Sequence, residues 1–148
     1  MIDPIAILLV EDNPMDVELT LRAFKRSKMQ NPIQIVRDGQ EALDYVHRRG
    51  VYADPATSPV PGLILLDIRL PRIDGLEVLR ALKSHPVYRP IPVVMLTTSR
   101  DDNDVTKSYD LGANSYIVKP VDFDKFLEVI GRIELYWILT NLQPPRGT

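Results

Sequence analysis

"LILLDIRLPRIDG" (Leu63–Gly75) decides the fold. Four apolar residues, Leu63-Ile64-Leu65-Leu66, end on an acid, Asp67, and a turn-prone segment leads on to Gly75. A strand with one face in water alternates apolar and polar residues. A short unbroken apolar run reads instead as a strand buried on both faces, which is the signature of a parallel sheet covered by helices. From Gly75 to Lys83 the leucines Leu76, Leu79 and Leu82 fall at helical spacing, so a helix follows the strand.

Working outward, the same unit recurs. Further strands are expected at "IAILLV" (Ile5–Val10), "IQIV" (Ile33–Val36), "IPVVML" (Ile91–Leu96) and "SYIV" (Ser115–Val118). Asn13-Pro14 opens a helix, with Asn as N-cap and Asp16 three residues on. Asp38 and Glu41 resemble a capping box for a helix carrying Ala42, Leu43 and Val46. A fourth helix should follow "SRDDND" and stop at Leu111-Gly112, and a fifth should start at Asp122. The proline-rich "RRGVYADPATSPVPG" reads as a loop. Five strand–helix units imply an α/β, doubly wound, five-stranded parallel sheet with right-handed crossovers.

Composition bounds the rest. At 148 residues, 45% hydrophobic and 26% charged, the chain reads as one globular domain, residues 1–148. A net charge of −2 gives no electrostatic pull toward nucleic acid, and basic DNA-reading patterns are absent. With no cysteine, disulfides, thiolate zinc sites and cysteine nucleophiles are excluded. The opening "MIDPIAILLV" has an acid where a signal peptide wants basic residues, and no apolar run is long enough to span a bilayer. The expectation is a soluble, cytoplasmic protein with neither a nucleic-acid nor a membrane partner.

In a doubly wound sheet, functional groups gather beyond the carboxyl ends of the strands. Glu11 and Asp12 follow the first strand, Asp67 the third, Thr97 and Thr98 the fourth, and Lys119 the fifth. Taken singly, an acid after a strand is more often a helix cap, and a strand-end Thr or Lys a surface group. Their joint placement points further. Clustered carboxylates repel and are relieved by a hard divalent cation, for which Mg2+ is the best fit. A carboxylate aligned with a phosphorus atom can be its nucleophile, while an ammonium and a hydroxyl hold the equatorial oxygens. Asp67 is the candidate nucleophile, and Glu11 and Asp12 the metal carriers.

The motifs "LLVEDN", "LILLDIRLPRIDG", "VVMLTTS" and "GANSYIVKP" occur here in that order over about 120 residues, and the combination resembles the receiver domain of two-component response regulators. The resemblance implies a flavodoxin-like strand order of 2-1-3-4-5. It further implies a phosphoryl group accepted onto Asp67 from the phosphohistidine of a sensor histidine kinase. Glu11, Asp12, Asp67 and the backbone carbonyl of Arg69 would hold Mg2+. Thr97 would be the switch hydroxyl, Lys119 the phosphoryl-binding lysine and Tyr116 the switch aromatic. A cis Lys119–Pro120 peptide is implied as well. Arg69 and Thr98 depart from the commonest pattern: one brings a cation near the acyl phosphate, the other narrows access to it.

Two other classes compete. A Mg2+-dependent phosphatase with an Asp nucleophile usually carries a second Asp two residues on, where this chain has Arg69, and a cap domain for which there is no room. A flavin-binding protein needs a Ser/Thr/Gly phosphate loop after the first strand, where Glu11 and Asp12 would repel phosphate. The receiver reading makes the chain a signalling protein, not an enzyme with an external substrate, and no residues remain for an output domain. The core should end near residue 134, with 135–148 a helix extension and tail. Tyr136, Trp137 and Ile138 lie in the uncharged run Leu135–Leu142. Phe123, Phe126, Leu127, Ile130 and Ile133 pack the preceding turns on the sheet. Residue types enriched at interfaces thus mark a homodimer through helix 4, strand 5 and helix 5. The long final helix with "YW" is similar to stand-alone regulators paired with bacterial phytochromes, which makes the kinase a light-sensing one. His47 and His85, near helix ends, read as surface histidines.

Overall fold

The computed structural model describes residues 5–26 and 31–141, with side chains of the last helix described through residue 133. Its strands are β1 (Ile7–Val10), β2 (Ile33–Val36), β3 (Leu63–Leu66), β4 (Val93–Thr97) and β5 (Ser115–Val118). Its helices are α1 (Pro14–Arg26), α2 (Gly39–Val46), α3 (Gly75–Ser84), α4 (Asp102–Asp110) and α5 (Phe123–Asn141). All strands pair in parallel, in the order β2-β1-β3-β4-β5. Among the described residues, the loop between α2 and β3 contains one 3-10 turn, Gly50–Tyr52.

The unbroken apolar strands follow from burial on two sides. Leu8, Val10, Ile64, Leu66, Val93 and Met95 pack toward Ala42, Tyr45, Val46, Val78, Leu79 and Leu82 of α2 and α3. The alternate residues Ile7, Leu9, Leu63, Leu65, Val94 and Leu96 pack toward Val17, Ala23 and Phe24 of α1 and Phe126, Ile130 and Ile133 of α5. Because strand side chains alternate faces, one sheet feeds two cores. Each fully buried Leu or Ile contributes about 1.5–3 kcal/mol.

Caps set the helix starts that orient the site. Asn13 Oδ1 accepts from the Met15 and Asp16 amides at 2.9 and 3.3 Å. Asp38 Oδ1 accepts from Glu41 N at 2.7 Å, and Glu41 Oε2 reaches back to Arg37 N at 3.1 Å, one residue earlier than a standard capping box. α4 begins earlier than expected: Asp101 is its N-cap and accepts from Asn103 N at 2.8 Å, so the acidic run forms the first turn. There the helix dipole favours negative charge. β4 starts at Val93, not Ile91; Val93 N donates to Asn114 Oδ1 and Asn114 N to Val93 O, joining it to β5.

Two further expectations are corrected. Leu76 is only half-buried, and Val78 takes the inward position. Phe123 is half-buried beneath the Arg26 guanidinium, 5.4 Å from its ring centroid, and is not one of the α5 residues in the core. His47 is exposed and His85 half-buried, in line with their reading as surface histidines; α2 and α3 end on the same side, so their rings lie 5.7 Å apart, and His85 meets Tyr88 edge-on at 5.3 Å.

Candidate functional site: an acidic pocket closed by one lysine

Register brings the chemistry together. Val10 pairs with Leu66 across β1 and β3, and Thr97 with Val118 across β4 and β5. Glu11 and Asp67 therefore leave the sheet at one level, and because Leu66 pairs with Met95 and Met95 with Tyr116, Thr97 and Lys119 stand one and two residues beyond that level on the neighbouring strands. Backbone bonds fix these strand ends: Asp67 N donates to Val10 O at 3.1 Å, Glu11 N to Val36 O at 3.0 Å, and Lys119 N to Thr97 O at 2.7 Å.

Lys119 is 8% exposed, and its Nζ is shared among three carboxylates. It donates to Glu11 Oε2, to Asp67 Oδ2 at 3.0 Å and to Asp16 Oδ2 at 3.0 Å. Asp12 completes the cluster, with oxygens of Glu11, Asp12 and Asp67 all within 4.8 Å of one another. Thr97 is fully buried behind them, its Oγ1 accepting from Ser99 N at 3.3 Å. Thr98 is exposed. Arg69 N donates to Asp67 Oδ1 at 3.3 Å, so the loop after β3 curls back over the acid.

Crowding splits the two buried acids. Burial, then the charge of Asp67, pushes the Glu11 carboxyl up to about 8 against the pull of Lys119. Burial acts on Asp67 in the same sense, but hydrogen bonding from Thr97 and the charge of Lys119 outweigh it, and its carboxyl lies below the usual range. Lys119 shows the reverse balance: burial opposes its charge, yet Glu11 and Asp67 raise its pKa well above the ordinary value. Asp67 is thus held as a buried, ionised, hydrogen-bonded carboxylate.

The donor set fits a hard divalent cation. One ammonium bonds Glu11, Asp16 and Asp67, Asp12 stands beside Glu11 and Asp67, and oxygen ligands of this kind suit Mg2+ or Mn2+. Glu11, Asp12 and Asp67 would hold the ion, which when bound supplies the positive charge that lets an anionic phosphoryl group approach.

Sequence reasoning missed Asp16 as a member of the site and saw it only as an acid near an N-cap. Its position in the first turn of α1, which starts just past the carboxyl end of β1, was the available signal. The implied cis isomer of Lys119–Pro120 is not adopted: the bond is trans, the form most X-Pro bonds take, and Lys119 reaches all its partners from it. Tyr116 is half-buried, and its hydroxyl donates to Ser99 O at 2.9 Å. Tyr136, Trp137 and Ile138 fall on the backbone of α5, but their side chains lie outside the described residues. Among the described residues, no helix is long and apolar enough to cross a membrane.

Comparison with known proteins agrees with this fold. A probable methanogenesis regulatory protein, FilR2, from Methanothrix harundinacea is 41% identical over 142 residues, covering 96% of this chain and 89% of its own. Response regulator Rcp1 from Synechocystis is 40% identical over 141 residues, covering 95% and 94%. The crystal structure of Rcp1 in its Mn2+-bound form superposes with a TM-score of 0.85, at 39% identity over 96% of this chain and 100% of that one. The phosphorylated cyanobacterial phytochrome response regulator RcpA superposes with a TM-score of 0.87, at 40% identity over 96% and 99%. Residues 7–131, which span every strand and carry the whole acidic pocket, match the response regulator receiver domain. With that match, the shared strand order and the pocket at the strand ends, this chain belongs to the receiver-domain family and is a response regulator of two-component signalling.

Proposed function

We propose that Asp67 accepts a phosphoryl group from the phosphohistidine of a sensor histidine kinase. The observation that carries this reading is the sharing of buried Lys119 between Asp67 and Glu11 at the carboxyl ends of β1, β3 and β5, with the Thr97 hydroxyl beneath. An oxygen of Asp67 attacks the phosphorus, the bond from phosphorus to the kinase imidazole breaks, and the imidazole leaves with its electron pair. The product is an acyl phosphate. Lys119 and Thr97 are placed to donate to its oxygens, where charge spreads during transfer. Mg2+ is the assigned cation, on Glu11, Asp12, Asp67 and the Arg69 carbonyl; support comes from the acidic cluster and from the Mn2+-bound state of Rcp1.

Residues 1–148 act as one receiver domain in the cytoplasm, modifying only themselves. The kinase is read as a light-sensing phytochrome, because RcpA is a phytochrome response regulator. Thr97 and Tyr116 pass the charge on Asp67 to the face of α4, β5 and α5, a two-state element biased by local charge. That face, extended by Tyr136, Trp137 and Ile138, forms a homodimer.

Treatment with acetyl phosphate or a phosphorylated kinase in Mg2+, followed by intact mass, tests the assignment. One acid-labile phosphoryl adduct is expected. Its absence from both donors, or its survival in Asp67→Ala, would overturn the proposal. Sedimentation tests the dimer, with Trp137→Ala expected to shift the protein toward monomer; an unassociated wild type at micromolar concentration rules the dimer out. The phosphatase reading gains nothing from the comparisons, and Arg69 stands where its second acid belongs.

A further inference from the structure

Arg69, two residues past Asp67, is tied to the opposite side of the pocket. Its Nη2 donates to Asp104 Oδ2 at 2.9 Å, across 35 residues of sequence. The same oxygen accepts from Ser99 Oγ at 2.6 Å, and the Ser99 carbonyl accepts from the Tyr116 hydroxyl at 2.9 Å. The chain Arg69–Asp104–Ser99–Tyr116 thus joins the loop carrying the Asp67 site to the first turn of α4 and to β5. The partners are unequal: the Asp104 side chain is 11% exposed and that of Arg69 62%.

We propose that Asp104 is a positioning residue that holds the Arg69 guanidinium away from Asp67, and that a phosphoryl group on Asp67 draws Arg69 off it. This rests on the reading of Asp67 as phosphoacceptor. Arg69 is the end that can move, since its backbone N–H already touches Asp67 Oδ1 and its side chain is largely in solvent. A phosphoryl group presents more negative charge than one carboxylate and matches the guanidinium fork. Asp104 can release Arg69 because two other compensations remain: the Ser99 hydroxyl and the amino end of α4. Once Arg69 leaves, Ser99 alone ties that carboxylate to the loop whose carbonyl holds Tyr116. The loss of one ion pair beside the site therefore loosens the first turn of α4 and the switch tyrosine together.

The test is a double-mutant cycle on the full chain, read as affinity for beryllofluoride, a mimic of a carboxylate-bound phosphoryl group, in saturating Mg2+ by 19F NMR or calorimetry. Asp104→Asn frees Arg69 and is expected to tighten binding about fivefold or more. In an Arg69→Ala background the same change should alter binding less than about twofold, the additivity expected of uncoupled sites. Asp104→Ser, which keeps a helix-compatible hydroxyl, should repeat the pattern if Asp104→Asn folds poorly. Equal tightening in both backgrounds, or none in either, overturns the proposal. A wild-type protein that neither binds beryllofluoride nor gains a phosphoryl adduct overturns instead the phosphoacceptor reading beneath it.

Discussion

Lys119 Nζ lies 3.0 Å from Asp67 Oδ2 although 52 residues separate them, and the ammonium simultaneously serves Glu11 and Asp16. One cation thus bonds three acidic side chains that would otherwise repel one another. A buried charge cluster stripped of one partner is costly, because the remaining charges keep their desolvation penalty.

Lys119→Met should therefore lower metal-free stability by about 3 kcal/mol. Because a divalent cation can replace the lost charge, saturating Mg2+ should recover more stability in this variant than in wild type. Urea unfolding with and without Mg2+ measures both effects; an unchanged midpoint in metal-free buffer would show that Lys119 does not hold the pocket.

Thr97 is buried with its hydroxyl aimed at the acid it keeps ionised. Thr97→Ala should slow phosphorylation by acetyl phosphate on the order of 10²-fold, the scale for removing one positioned donor. Thr97→Ser should retain most of the rate, and the time course of the phosphoryl adduct by mass distinguishes the two.

Gly75 sets the height of the loop that carries Asp67. A Cβ built there would lie 2.1 Å from Asp67 O and 2.7 Å from Ile68 Cα, both backbone atoms that cannot turn aside. The Gly75 amide also donates to Ile68 O at 2.8 Å, so the helix start and the strand end are locked together. Gly75→Ala should destabilise the fold by about 1–3 kcal/mol and displace the acid. A lower thermal midpoint with weakened Mg2+ binding is the expected result.

Alkaline stability has a separate reporter. The buried Tyr45 hydroxyl donates to Pro59 O at 2.6 Å, and burial, helped by Tyr88 and opposed by Arg48, pushes its pKa up to about 12. Unfolded tyrosine titrates near 10. The folded state thus favours the protonated phenol; its contribution is complete below pH 10 and is lost as pH rises from about 10 to 12. Tyr45→Phe should lower neutral stability by about 1 kcal/mol and flatten the alkaline slope measured by denaturant titration. Tyr52 and Tyr88, raised in the same direction, leave a residual slope.

By itself the sequence determined the alternation of strands and helices, because burial on both faces demands unbroken apolar strands such as Leu63–Leu66 and Val93–Leu96. It also determined that acids, a hydroxyl and an amine stand at the strand ends, since a residue directly after a strand cannot be far from that strand's edge. The helix caps Asn13 and Asp38 were legible for the same local reason: an Asn or Asp side chain bonds amides two or three residues away. Only the tertiary structure decided which groups share a proton donor or a charge. Asp16 looked like an ordinary first-turn acid until α1 set it against Lys119, and Asp104 looked like one of an acidic run ahead of a helix until α4 set it against Arg69. Those pairings span 103 and 35 residues. They depend on strand register and helix placement, and Coulomb attraction depends on distance in space and on burial, neither of which the order of residues along the chain records.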